Sequence, residues 1–319
     1  MNLKSFLKVV EIQTKIASVT PFLLGIAYTL YTFGQIKALP VLFFFLSMLA
    51  FDMFTTALNN YMDWKRAQVK SGYNYETHNA IVRDRLSEKT ILITLAVLFL
   101  FAAAFGLLTF LNTDLTVLAL GGLSFMIGIL YSAGPLPISR TPLGEIFSGF
   151  FMGMVIPFLV VYLSIYDRRP IGITLDTANI VLTLNWRLLL PMVLIALPPM
   201  LCIAGIMLAN NICDIEDDLP NKRYTLPILI GKKKALFVYD MLYFVSYVDI
   251  LVCVMLGYLP VIALITLVFG IKVFKNQRAF HELQTKKDTF GLSVMNLALT
   301  VFPLILSLFV AAALNLLRR

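Results

Sequence analysis

Charge is what this chain has least of for its size. Only 14% of its 319 residues are Asp, Glu, Lys or Arg, against about a quarter in an ordinary soluble domain. Hydrophobic residues make up 59%, more than a single core of this size can hide from water, so soluble globular, secreted and disordered classes are excluded. Cysteine is nearly absent. Cys202, Cys213 and Cys253 are too few and too scattered for a disulfide framework or a thiolate metal site, and they read as small hydrophobes. The two histidines, His78 and His281, lie in polar stretches and read as solvated. No cleavable leader is expected. MNLKSFLKVVEIQTK is basic and amphipathic with no small-residue cleavage site, so a short interfacial helix is expected there.

What the chain has instead is long apolar runs. A membrane-crossing helix needs about 20 mostly apolar residues. Runs of that kind lie near 16–34, 40–60, 90–111, 115–133, 143–165, 188–211, 235–256, 259–274 and 291–316. The expected fold is all-α, a polytopic bundle of about nine transmembrane helices in the cell (plasma) membrane. Short cytoplasmic loops carry the excess of Lys and Arg. The face that includes the N-terminus holds 20 of the 26 cations and the other face 6, which puts the N-terminus inside and the C-terminus outside. The net charge of +8 is therefore read as topology plus phosphate binding, and no nucleic-acid partner is expected.

Two segments repeat. Asn59-Asn60-Tyr61-Met62-Asp63 closes the second run and Asn210-Asn211-Ile212-Cys213-Asp214 closes the sixth. Both are N-N-x-x-D at the basic end of an apolar helix, four spans apart and followed by a long basic loop. This suggests a duplicated unit within one domain, 1–319, with pseudo-repeats near 16–134 and 143–316 and cap loops at 60–89 and 212–234. Residues four apart share a helix face, so Asn59 points with Asp63, and Asn210 with Asp214 and Asp218. Two carboxamide–carboxylate clusters facing each other make an oxygen-rich site suited to Mg²⁺, which binds through one or two carboxylates together with substrate phosphates. Lys65, Arg66, Lys222 and Arg223 stand beside them to hold phosphate oxygens directly. The combination describes a headgroup site for an amphiphilic diphosphate at the membrane rim, with an apolar tail running into the bundle.

With these motifs the chain resembles the UbiA superfamily of intramembrane prenyltransferases, whose motifs are N-D-x-x-D-x-x-x-D and D-x-x-x-D. The second is matched by Asp214 and Asp218. The first is matched at Asn59 and Asp63, while Asn60 and Ala67 replace two of its acids; Glu76 or Asp84 are the loop acids available to compensate. Tyr131-Ser-Ala-Gly134-Pro135-Leu-Pro137, followed by Gly144-Glu145, is similar to the branch that prenylates 1,4-dihydroxy-2-naphthoate, and Pro135 stands where other branches carry Lys. The run from Asn211 through Lys222-Arg223 to Gly231 is similar to the same branch. The resemblance implies transfer of a polyprenyl chain from its diphosphate to the aromatic acceptor, with loss of CO₂ and diphosphate, giving demethylmenaquinol. It implies Mg²⁺ on Asn59, Asp63, Asp214 and Asp218, and a substrate-side role for Tyr131.

Other residues keep two readings. Lys15, at the head of the first span, is either a snorkelling anchor or a contact to the diphosphate or the acceptor carboxylate. Arg140, alone in its loop, is a candidate replacement for the missing family Lys. Asp52 lies inside the second span, where acids are costly and functional by default, on the face of Asn59 and Asp63; it either serves the cavity or is a hydrogen-bonded structural acid. Asp249 has no motif partner. The competing functions are prenyl transfer to another acceptor such as 4-hydroxybenzoate, and a transporter, which would be expected to place its acids near the bilayer midplane at interrupted helices. Prenyl length and oligomeric state are not legible.

Overall fold

The computed structural model describes residues 1–66, 80–175 and 178–318. Ala67, Lys70, Glu76 and His78 lie outside the described residues. The chain begins with a short helix α1 (Leu3–Val9), whose cap is Asn2 accepting from the Ser5 N–H, as expected for the basic N-terminal stretch. A 3-10 turn (Ile12–Lys15) leads into α2 (Ile16–Phe33), which Gly34 ends in the left-handed region at φ 70°. Then come α3 (Ala38–Arg66), the single turn α4 (Ala80–Arg83), α5 (Glu88–Leu111) and α6 (Leu115–Ser132). Ser87 and Asp114 cap α5 and α6 through hydrogen bonds from the Thr90, Thr116 and Val117 N–H groups.

The fifth crossing starts as α7 (Gly144–Ser148), passes through a π-helical segment (Gly149–Val155) and continues as α8 (Ile156–Ile165). A two-stranded antiparallel hairpin follows, β1 (Ile171–Leu175) on β2 (Ile180–Leu184), with Ile171 opposite Leu184. Next are α9 (Trp186–Cys213), the short α10 (Ile215–Asp218) and α11 (Leu226–Ile230), and then α12 (Lys232–Met255), α13 (Ile265–Glu282) and α14 (Phe290–Leu317). Eight helical segments among the described residues are long and apolar enough to cross a membrane.

The eighth apolar run of the sequence, 259–274, takes a different form. It starts in a 3-10 turn (Val261–Leu264), and α13 then runs on to Glu282 through Lys272, Lys275 and Arg278. Its apolar half is too short to qualify by composition. Even so, α13 returns the chain to the end from which α12 set out, because Lys286 just beyond it reaches Asp214 at the end of α9. By length and composition the described residues thus give eight spans, one fewer than the nine apolar runs of the sequence.

Two apolar clusters hold the bundle. The larger joins α2, α8, α9, α12 and α14 through Leu24, Tyr162, Leu208, Tyr243 and Leu304. The smaller packs α1 and the end of α3 on α5 through Val9, Phe54, Tyr61 and Ile91. Close approach in lipid depends on small residues. At Gly153 a Cβ would come within 2.3 Å of Met200 Cα, so α9 lies directly on the π-helical segment. The two motif-bearing helices, α3 and α9, end at the same rim of the bundle, where Arg223 reaches both Asp63 and Asp218.

Candidate active site

Each motif copy makes the same local contact. The Asn59 carboxamide donates to Asp63 at 3.4 Å, and the Asn210 carboxamide donates to Asp214 at 3.3 Å. This is the i, i+4 pairing that the spacing requires on a helix face. A single side chain joins the two copies. The Arg223 guanidinium lies 3.7 Å from the Asp63 carboxylate and 3.1 Å from that of Asp218. Arg140 adds a second contact to Asp63, at 3.7 Å. The Asp214 carboxylate is met by Lys286 at 2.6 Å.

Burial sets the electrostatics. Asp218 is 4% exposed; desolvation pushes its carboxyl up to about 6, and the pull of Arg223 in the other direction does not cancel it. Arg140 is held below its ordinary value by burial, with Arg223 and Arg66 adding to the effect against Asp63. Arg223 is partly buried, but Asp63, Asp218 and Asp214 outweigh the desolvation and raise it. The rim is therefore a lattice of alternating charge that gains from an incoming anion and a cation together.

A cavity of about 440 Å³ opens beside this lattice. It is lined by Arg66, Arg140, Lys222 and Tyr224 and by the Gly134–Pro137 turn. Arg66 donates to the Gly134 carbonyl at 2.8 Å and Arg140 to the Asn221 carbonyl at 3.4 Å, so both guanidiniums are fixed by backbone. Gly134, at φ 102°, occupies a conformation that a side chain resists.

The remaining expected residues divide. Tyr131 accepts from Ser148 at 2.9 Å and lies 3.5 Å from the Met207 sulfur, while the neighbouring Ser132 donates to Asn59 at 3.0 Å. The Tyr-Ser pair thus touches the first motif copy, the fifth crossing and α9. Asn211 donates to Glu145 at 2.8 Å. Asn60 turns away from Asp63 and donates to the Val9 carbonyl and the Glu11 carboxylate, where it holds the N-terminal segment. Lys65 is drawn to Glu88 and the Tyr61 hydroxyl, 2.9 and 3.0 Å away. Lys15 and Asp52 are satisfied by each other, with Thr56 and Ser18 completing the cluster; of the two readings of Asp52, this environment is the hydrogen-bonded one. Asp84 binds Ser5 and Arg83, and these hydrogen bonds, Arg83 first, hold its carboxyl down at about 2, so it does not supplement Asp63. Asp249 is buried with Cys253 beside it.

Three residues that the motif spacing did not single out belong here. Ser132 and Glu145 stand inside the stretch similar to the naphthoate branch, where their hydrogen bonds were not legible. Lys286 sits 72 residues past Asp214 in sequence, and nothing short of tertiary structure brings it near.

A model of the UbiA prenyltransferase family matches residues 18–300. The chain belongs to that family. It is 31% identical over 245 residues, 77% of its length and 72% of the other's, to a 1,4-dihydroxy-2-naphthoate octaprenyltransferase of Bacillus subtilis. Two solved structures share its fold. One is a UbiA homologue from Aeropyrum pernix K1, with TM-score 0.65, 19% identity, and 93% and 98% of the two chains covered. The other is a UbiA homologue from Archaeoglobus fulgidus bound to GPP and Mg²⁺, with TM-score 0.65, 13% identity, and 97% and 99% covered. As a UbiA prenyltransferase the protein is an integral membrane protein whose two motifs end at one rim.

The donor set fits Mg²⁺ of the substrate-completed kind. Asp63, Asp214 and Asp218 are hard oxygen donors, with Asn59 and Asn210 steering two of them, and Asp63 and Asp218 share a guanidinium. Among the described residues no three Asp, Glu, His or Cys side chains are grouped so as to hold a metal ion by themselves.

Proposed function

We propose that this UbiA prenyltransferase joins a polyprenyl chain to 1,4-dihydroxy-2-naphthoate, releasing diphosphate and CO₂ and giving demethylmenaquinol. The observation that carries the reading is Arg223 between Asp63 and Asp218, since it joins the two motif copies at one point. The likeness to the Bacillus subtilis naphthoate enzyme supports the choice of acceptor. The Mg²⁺ and GPP bound to the Archaeoglobus fulgidus homologue support the choice of donor and cofactor.

In this reading Asn59, Asp63, Asp214 and Asp218 hold Mg²⁺, which supplies positive charge against the oxygens of the departing diphosphate. Arg223 and Lys286, which meet Asp218 and Asp214 at 3.1 and 2.6 Å, would offer positive charge to the leaving group as its own charge develops. The prenyl tail lies in the bundle, where exclusion of water protects the allylic cation. The acceptor lies in the basic cavity. Arg66, Arg140 and Lys222 bind its carboxylate, and the Tyr224 ring with Pro135 and Pro137 forms flat walls for a bicyclic ring. The duplicated Asn–Asp contact supports a single domain built from two repeats, and the basic rim is read as the cytoplasmic side.

Membranes carrying the protein, given a polyprenyl diphosphate and Mg²⁺, are expected to prenylate dihydroxynaphthoate. Product from 4-hydroxybenzoate alone would move the protein to another branch. Asp63→Asn and Asp214→Asn are each expected to abolish Mg²⁺-dependent diphosphate release. Undiminished release in both would remove the site from this rim.

A further inference from the structure

Glu145 is the second residue of the fifth crossing and is 3% exposed; Asn211, near the end of α9, is fully buried. The Asn211 amide donates to Glu145 Oε1 at 2.8 Å. The other two oxygens of the same two planar groups, Glu145 Oε2 and Asn211 Oδ1, are both buried without a partner. Glu145 forms no ion pair among the described residues. As a carboxylate it would be a buried charge without a counter-ion, and both leftover oxygens would be acceptors without a donor. Leaving one buried acceptor unsatisfied is costly, and an unpaired buried charge costs more.

We propose that Glu145 is a neutral carboxylic acid that closes a two-bond ring with Asn211 and acts as a positioning residue for the second motif. One proton on Oε2 turns that atom into a donor and Asn211 Oδ1 into its acceptor, so a single proton satisfies both orphaned oxygens. The ring fixes the start of α7 to the end of α9. Asn211 precedes the turn that carries Asp214, and its neighbour Asn210 donates to Asp214. On the other side Ser148, one turn after Glu145, donates to Tyr131. The acid therefore ties Tyr131 and the second Asn–Asp pair to one short helix. Neutrality matters to the chemistry proposed above, on which only this consequence rests. Asp63, Asp214 and Asp218 already load the rim with negative charge, and a fourth carboxylate would repel a diphosphate.

The test uses the full-length protein in lipid nanodiscs. With glutamate carboxyl carbons isotopically labelled, the infrared spectrum of substrate-free wild type at neutral pH is expected to show a protonated carboxylic C=O band. Glu145→Gln is expected to remove it. Glu145→Gln keeps size, neutrality and a donor toward Asn211, so its Kd for a polyprenyl diphosphate with Mg²⁺ should stay within about threefold of wild type. Glu145→Ala leaves Asn211 unsatisfied and should weaken that binding by about tenfold or more, the scale of one lost buried partner. A spectrum without the band, or Glu145→Gln as weak as Glu145→Ala, would overturn the proposal. Should Glu145→Ala fail to fold, the band and the Gln variant decide alone. Neither readout involves the aromatic acceptor, so an error in the acceptor assignment leaves this test untouched.

Discussion

Arg223 answers to two acids from opposite halves of the chain, and its surroundings say what its loss would do. The Asp218 side chain it meets at 3.1 Å is 5% exposed, and its own is 16% exposed. Removing one partner of a buried ion pair typically costs about 3–5 kcal/mol, chiefly because the other charge is left uncompensated. Arg223→Ala is therefore expected to lower the unfolding midpoint and to raise KM for the prenyl diphosphate; a wild-type midpoint and KM would contradict the bridge. Asp218 gives the pH dependence. Its carboxyl titrates near 6 when folded, because of burial, against 3.8 ordinarily. Between those values the folded chain holds a proton that the unfolded chain has lost, so its contribution to stability falls as pH rises from about 4 to about 6. In the proposed reading activity runs the other way, because the carboxylate is the form that would hold the metal. In a pH profile kcat/KM should decline as pH falls through about 6. A flat profile down to pH 5 would show that Asp218 is not needed ionised.

At the scale of elements, the fifth crossing is where the apolar runs and the structure differ most in kind. The run 143–165 was readable as a span, and the structure keeps it as one. The π-helical turns inside it, Gly149–Val155, were not, because they arise from contact with α9 rather than from local propensity. Gly149 and Gly153 let Met200 and Ala204 approach, and a side chain at Gly153 would meet the Met200 backbone at 2.3 and 2.5 Å. Gly153→Ala is expected to destabilise by about 1–3 kcal/mol through overpacking, read as a lower thermal midpoint in detergent. An unchanged midpoint would mean that α9 shifts freely, and with it the second motif. The Asn–Asp pairs were legible because i, i+4 spacing fixes them within one helix. The partners of Asn60, Lys65, Lys15 and Asp52 lie on other elements, at Glu11, Glu88 and one another, and no periodicity reports that.

For the whole molecule, scarcity of charge gave the class, and its clustering gave the site. The two N-N-x-x-D segments that stood 151 residues apart in sequence end at one rim because α3 and α9 point the same way. The cap between them was only half readable. Lys222 and Arg223 stood in the expected loop, whereas Lys286 arrives from the α13–α14 connection and closes on Asp214. The basic cavity was invisible too, since Arg66, the Gly134–Arg140 loop and Tyr224 come from three separate stretches. In the proposed reading that cavity takes the carboxylate of the aromatic acceptor, which the proposed reaction expels. The most direct measurement uses dihydroxynaphthoate labelled in its carboxyl carbon, with a polyprenyl diphosphate and Mg²⁺, and follows labelled CO₂ and diphosphate together. One CO₂ released per diphosphate is the predicted result. Diphosphate release without labelled CO₂, or none at all with this acceptor, would contradict it.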